Sequence, residues 1–369
     1  MNTTDILYLL LTFSASLMIT FVAMPWLLRL CRVRGLYDMP NERKVHQNKI
    51  PRLGGLLFAP AMVVGMAVSY LLMTILEPTT ELPVFRLSTM ILIAGLFLIY
   101  LIGILDDLLG LKASFKFLVQ FAATLFMPLC GLYIDNFYGF CGLYEIPLWA
   151  SYPLTVFVCL LIVNSINLID GIDGLSSALS MIMLGVFAFV FAQLEVLSYT
   201  LLAVGLIGAV LAFFYFNMFG SVERGTKTFM GDTGSLVLGY AIAYLAIKYA
   251  MNNPAVLPYR PHALLFSFTL VLVPCFDLVR VAVGRLWIGS GIFSPDKSHL
   301  HHLCLAAGFS MRHSLLLIVG LQVALNVLNW FFYTHLQLSA LSIVISDILC
   351  FAFFIFWLKW KAKLSSASS

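Results

Sequence analysis

Apolar residues arrive in long runs separated by short polar connections. Eleven such runs cover roughly 6–28, 53–76, 87–105, 116–132, 152–167, 175–194, 197–217, 233–250, 262–284, 313–333 and 340–358. A helix needs ~20 predominantly apolar residues to cross a bilayer. The pattern therefore predicts eleven transmembrane helices, those near 116–132 and 152–167 being the shortest. The first run lacks a basic leader and a small-residue cleavage site, so it is expected to be an anchor rather than a cleaved signal.

Composition leaves little room for another class. Hydrophobic residues make up 62% of 369 positions and charged residues 10%, against about half and a quarter in soluble domains. The bilayer must be the solvent. The expected fold is an all-α polytopic membrane protein, one transmembrane domain over 1–364 with a disordered Ser-rich tail at 365–369.

The net charge is only +4, but its placement is informative. Arg29, Arg32, Arg34, Arg43, Lys44, Lys49 and Arg52 crowd the first connection, which the positive-inside rule assigns to the cytoplasm. Alternation then puts the N-terminus, with Asp5 and no basic residue, outside. Lys112, Lys116, Arg224, Lys227, Arg285, Lys297, Arg312 and the tail lysines 359, 361 and 363 fall inside. Only Arg86, Lys248 and Arg260 of the twenty-one basic residues fall outside, so the C-terminus is expected inside.

Five polar segments lie on that inner face. The first, GILDDLLGLKASFK, ends the third run with the adjacent carboxylates Asp106 and Asp107, which repel and want a cation; Lys112 and Lys116 beside them suit phosphate. A water-solvated helix end is the plainer reading. In NSINLIDGIDGLS, Asn164, Asn167, Asp170 and Asp173 recur every third residue, a slowly turning stripe on a helix. Such residues at a membrane edge are costly and by default mark a site; the alternative is a polar connector. TFMGDTGS places Asp232 between two glycines, with Phe229 as a flat face for a base. SPDKSHLHHL brings together Asp296, Lys297, His299, His301 and His302. Zinc is disfavoured, because zinc-binding histidines are usually three or four residues apart with a completing ligand; a sugar- or phosphate-binding loop fits better. RKVHQNKIPRLGG supplies Arg52 and its basic neighbours for an anionic group, or serves only as positive-inside charge.

Seven cysteines include no CxxC pair. Cys130 and Cys141 bracket one outer connection and could pair, although two unpaired thiols is the plainer reading.

The joint pattern carries more weight than any segment. Asp and Asn oxygens suit Mg²⁺, with Mn²⁺ as a possible substitute, and neighbouring Lys and Arg suit phosphates. The arrangement is that of a phosphoryl-transfer site fed from the cytoplasm. A transporter would also carry intramembrane charges such as Asp277, Arg280 and Asp347, but transporters place their sites near the midplane. Asp277 and Arg280, three residues apart, could simply pair. A CDP-alcohol phosphatidyltransferase would need an Arg after Asp170-Gly171 and further spaced acids, and the chain has neither.

These segments resemble the polyprenyl-phosphate N-acetylhexosamine-1-phosphate transferases, relatives of the lipid I synthase. The resemblance rests on IPRLGG (50–55), GILDD (103–107), NSINLIDGIDGL (164–175), FMGDTGS (229–235), PCFD (274–277) and FSPDKSHLHHL (293–303), in the family's order. SPDK before HLHH is similar to the branch that uses UDP-GlcNAc to start O-antigen, enterobacterial common antigen or wall teichoic acid synthesis. Arg52 stands where the lipid I synthase branch has a Thr-Pro-Thr-Met-Gly-Gly stretch, which argues against a muramyl-pentapeptide donor. The resemblance implies transfer of HexNAc-1-phosphate from a UDP-N-acetylsugar to undecaprenyl phosphate, with release of UMP, at a bacterial inner membrane. It implies Asp232 and Asn167 as Mg²⁺ ligands and Asp106 and Asp107 as the catalytic pair. Asp170, Asp173 and Phe229 are the implied uridine contacts, with Asn164 and Arg52 as further substrate contacts. His299, His301 and His302 would recognise the sugar, and Lys116 the lipid phosphate. A helix bent near Pro274 would border a lipid groove. The expected partners are these two substrates and the bilayer, with no nucleic acid; a homodimer is a possible assembly.

Overall fold

The computed structural model describes residues 3–38, 49–77, 87–253, 257–291 and 297–367. Arg43, Lys44, Arg86, Asp296, Ser368 and Ser369 lie outside the described residues. The chain is an all-α polytopic membrane protein. Its helices are α1 (Thr3–Arg34), α2 (Phe58–Leu76), α3 (Leu87–Leu109), α4 (Ala113–Leu129), α5 (Leu148–Ile169), α6 (Leu175–Gln193), α7 (Leu197–Phe219), α8 (Gly231–Ala250), α9 (Ala263–Leu270), α10 (Leu272–Trp287), α11 (Leu300–Ala306), α12 (Met311–Thr334) and α13 (Ala340–Ala367). A short antiparallel ribbon pairs β1 (Tyr37–Asp38) with β2 (Ile50–Pro51).

Among the described residues, nine helices are long and apolar enough to cross a membrane. The bent pair α9–α10 and the shorter apolar α4 account for the two remaining runs read in the sequence. The last helix runs on to Ala367, taking in Ser365 where the sequence suggests a loose tail. All seven cysteines are free, and Cys130 Sγ donates to the carbonyl of Phe126 at 2.7 Å in its own helix.

The chain divides into two compact units. The first comprises residues 1–131 and 177–245. Here α1 packs on α2 and α7, and α3 on α4. On α1 the buried residues Tyr8, Thr12, Ser16, Thr20, Met24 and Leu28 recur every fourth position, the spacing that gathers side chains on one helix face. Its other faces leave Leu10, Val22 and Trp26 exposed, as lipid-facing residues should be. Small polar residues join the helices: Thr12 Oγ1 lies 2.6 Å from Ser69 Oγ, and Ser16 Oγ donates to Ala61 O at 2.8 Å. In hydrocarbon, small residues let backbones approach and hydroxyls bond across helices.

The second unit comprises residues 132–176 and 246–369. In it α10 packs on α5, and α12 meets α9, α11 and α13. Helices α9 and α10 meet at 71°. The break falls at Val271, just before Pro274. A proline ring clashes with the carbonyl four residues earlier, here Leu270, and is tolerated only in a first turn. The amide of Gln322 on α12 spans the break, accepting from Val273 N at 3.0 Å and donating to Thr269 O at 2.8 Å. Asn329 Nδ2 donates to Thr269 Oγ1 and to Asp347 Oδ2. Asp347, for which the sequence suggests no role, is thus a buried acceptor between α12 and α13.

Candidate active site

The residues singled out in the sequence fall into two clusters, one in each unit. In the first unit the segments IPRLGG and TFMGD, far apart in sequence, are joined backbone to backbone. Phe229 N donates to Pro51 O at 2.8 Å, Gly54 N to Phe229 O at 2.9 Å, and Gly55 N to Met230 O at 2.8 Å. Thr228 Oγ1 adds a bond to Pro51 O at 3.0 Å. The interlock fixes the start of α8 and holds Arg52 beside it. Gly231 has φ +74°, a left-handed conformation, and a Cβ there would collide with Arg52 O and the Asp107 carboxylate; only glycine fits. Gly103 similarly lets α3 approach the backbone of Thr233. Phe229 is half-buried, and Arg52 Nε is buried without a protein partner.

The two adjacent aspartates do different things. Asp107 caps α8 from another helix: its Oδ1 accepts from Asp232 N at 2.9 Å, and its Oδ2 from Thr233 N at 2.9 Å and Thr233 Oγ1 at 2.6 Å. The first amides of a helix have no intrahelical partner and carry partial positive charge, which a carboxylate satisfies. Asp106 Oδ1 accepts from Leu111 N at 2.7 Å, closing the turn after α3, while its Oδ2 pairs with Lys116 Nζ at 2.7 Å. The same ammonium reaches Asp232 Oδ2 at 3.0 Å. Asp106 and Asp232 therefore converge on one cation. Lys112, at the N-cap position of α4, is exposed beside them.

The oxygen donors of this set are of the kind that Mg²⁺ prefers. Among the described residues no three His, Cys, Asp or Glu side chains form a ready metal cage. Mg²⁺ does not need one, since it is usually held by one or two carboxylates and completes its shell with water and substrate phosphates. The Asp232 carboxylate, half-buried beside an acid and a lysine, is one such hard ligand and fits that preference.

In the second unit, Asn164 and Asn167 lie on α5, half-buried and flanked by buried Val163, Ile166 and Ile169. Asn164 Nδ2 donates to Leu160 O at 2.8 Å. The helix stops at Ile169, so the three-residue spacing does not continue as one helical stripe. Asp170 is the C-cap, and Asp173 lies in the turn beyond, where Gly174 has φ +76°. This turn meets the histidine helix: a Cβ on Gly171 would collide with the His301 ring.

His299 is the N-cap residue of α11, and His301 and His302 lie in its first turn. The rings of His299 and His301 are parallel with centroids 6.0 Å apart, and those of His301 and His302 are 4.1 Å apart. His301 Nδ1 is buried with no protein partner. Burial first, then the neighbouring histidines, pushes the His301 pKa down to about 3. Asp277 on α10 holds the start of this helix. Its Oδ2 lies 3.0 Å from His299 Nδ1, Leu300 N donates to both oxygens at 3.1 Å, and Arg280 donates to Oδ1 at 2.6 Å. The Asp277–Arg280 spacing was visible as an ion pair, but nothing in the sequence pointed to a histidine partner twenty-two residues away.

The family model described as glycosyl transferase family 4 matches residues 88–250, which carry Asp106, Asp107, Lys116, the 164–173 segment and Asp232. A Bacillus subtilis protein named probable undecaprenyl-phosphate N-acetylglucosaminyl 1-phosphate transferase is 33% identical over 321 residues, 84% of this chain and 81% of that protein. The chain belongs to glycosyl transferase family 4. This is the family of polyprenyl-phosphate N-acetylhexosamine-1-phosphate transferases that its six motifs resemble. Other family 4 relatives are similar over comparable lengths. The undecaprenyl-phosphate alpha-N-acetylglucosaminyl 1-phosphate transferase of Yersinia pestis is 30% identical over 77% of this chain and 73% of its own. The decaprenyl-phosphate N-acetylglucosaminephosphotransferase of Mycolicibacterium smegmatis is 33% identical over 81% of this chain and 76% of its own.

Proposed function

We propose that this transferase moves GlcNAc-1-phosphate from UDP-GlcNAc to undecaprenyl phosphate at the cytoplasmic face of a bacterial inner membrane. The products are GlcNAc-diphospho-undecaprenol, which starts a cell-envelope polysaccharide, and UMP. The observation that carries this reading is the convergence of Asp106 and Asp232 on Lys116, built by motifs of the matching family. A lipid phosphate oxygen attacks the β-phosphorus of the donor. The bond from that phosphorus to the bridging oxygen breaks, and UMP leaves with the oxygen. We assign Asp232 and Asn167 to Mg²⁺, which when bound supplies charge neutralisation for the diphosphate and the leaving UMP. Lys116 binds the lipid phosphate. Asp106 orients the attacking phosphate and takes its last proton, a small demand because a phosphate monoester has a second pKa of about 6. Both Asp106 oxygens are already engaged, by Leu111 N and Lys116, which favours an orienting role over nucleophilic attack. Asp107 holds Asp232 in place. Asn164, Asp170, Asp173 and Phe229 take the uridine portion, and Arg52 with the histidine helix takes the sugar phosphate.

The test is purified protein with undecaprenyl phosphate, Mg²⁺ and a panel of UDP-sugars, scored for UMP. UDP-GlcNAc should release more UMP than UDP-MurNAc-pentapeptide. Equal release, or preference for the pentapeptide, rejects the donor assignment. No release from any UDP-sugar rejects the reaction.

A further inference from the structure

Asp277 is 1% exposed, yet it belongs to neither of the acidic motifs assigned to substrates or metal. The partners of its carboxylate are donors: Arg280, His299 Nδ1 and the Leu300 amide. Arg280 also donates to Ser298 O at 2.5 Å, so the residues before α11 are held at two points. A carboxylate with three donors accepts from all of them, so the hydrogen on His299 belongs on Nδ1. In a neutral imidazole the other nitrogen is then a hydrogen-bond acceptor. Metal-ligating histidines are oriented by carboxylates in the same way, and loss of such a partner typically lowers function 10–100-fold.

We propose that Asp277 is a positioning residue that docks the histidine helix onto the bent span and fixes His299 as the tautomer whose Nε2 accepts a hydrogen bond from the donor's sugar. The proposal rests on the reaction assigned above. The substitution Asp277→Asn keeps size and shape but can present an amide N–H to His299 Nδ1, which moves the imidazole hydrogen to Nε2. An acceptor thereby becomes a donor.

The full-length protein is assayed with UDP-GlcNAc and undecaprenyl phosphate, each varied in turn. Asp277→Asn should raise the KM for UDP-GlcNAc about tenfold, the scale of one lost hydrogen bond to a buried site, and leave the KM for undecaprenyl phosphate unchanged. Asp277→Glu, which retains the charge, should recover part of the loss. Once His299→Ala is present, adding Asp277→Asn should change the donor KM little, because the two residues act as one unit. A loss of folded protein alone would lower activity without separating the two KM values. Equal change in both KM values, or multiplicative effects in the double variant, overturns the proposal.

If the wild type releases no UMP from any UDP-sugar, the assigned reaction fails, and the clamp is read without substrate. Asp277→Asn should then speed modification of His299 by diethyl pyrocarbonate, mapped by mass spectrometry, in protein that melts as the wild type does. An unchanged rate overturns the clamp.

Discussion

Adjacent acids that look equivalent on paper divide their work. Asp106 faces a lysine and Asp107 caps a helix, while Asp232 shares that lysine. Asp232→Asn should lower both turnover and Mg²⁺ affinity, since the metal loses its main protein charge. Asp106→Asn should leave Mg²⁺ and UMP binding nearly intact while cutting turnover by about 10²–10⁴, the range for a positioned acid–base group. Calorimetry beside turnover separates the two, and the reverse pattern exchanges their roles. His301 makes a different prediction. Its pKa falls from 6.5 to about 3 in the folded chain, so the folded state holds it neutral. Below pH ~6.5 the unfolded chain takes up a proton that the folded chain refuses. The stability His301 provides above that pH is therefore lost progressively as pH falls from 6.5 toward 3. The thermal midpoint in detergent should drop over this window, and His301→Asn should flatten the drop; an unchanged slope excludes His301 as its source.

At the scale of elements, the break between α9 and α10 is a structured joint. Gln322 supplies the acceptor and the donor that the interrupted helix lacks, and in lipid every backbone polar group needs such a partner. Gln322→Leu should cost about 1–3 kcal/mol for each backbone group left unpaired, seen as a lower thermal midpoint; a midpoint equal to the wild type would mean that water reaches the break. The helices themselves were legible in the sequence, because eleven apolar runs leave a chain in lipid few other choices. The bend was legible too, from Pro274. The interlock of residues 51–55 with 228–230 was not, because it is made by backbone groups that carry no side-chain signature. Nor was the end of the Asn164–Asp173 stripe at Ile169, where the three-residue spacing masked a turn. The family resemblance implies Asp107 as half of a catalytic pair, whereas its capping of α8, allowed by the approach at Gly103 and Gly231, has no signature in the sequence.

For the molecule as a whole, basic residues are the sequence's guide to orientation. Seventeen of the twenty-one follow the arrangement with the first connection inside, three fall outside, and Arg280 lies within a span. Because the sequence carries eleven apolar runs, an odd number, the end of α13 should lie in the cytoplasm and the N-terminus outside. A C-terminal reporter active only in the cytoplasm is the expected result, and one active only in the periplasm reverses the orientation. Division into two compact units places the lysine-bridged acids in one and the histidine helix with the 170–174 turn in the other.

The ammonium of Lys116 has one further consequence. A tethered cation already bridges Asp106 and Asp232, so a divalent ion arriving there would face an intramolecular competitor. Occupation becomes an exchange: the incoming ion displaces the lysine, and the displaced lysine is released to meet an anion. Lys116→Met should accordingly tighten Mg²⁺ in calorimetry while weakening undecaprenyl phosphate. Unchanged or weaker Mg²⁺ binding would mean that the lysine and the ion do not contend for the same oxygens. Under that exchange, metal and lipid phosphate should recruit one another.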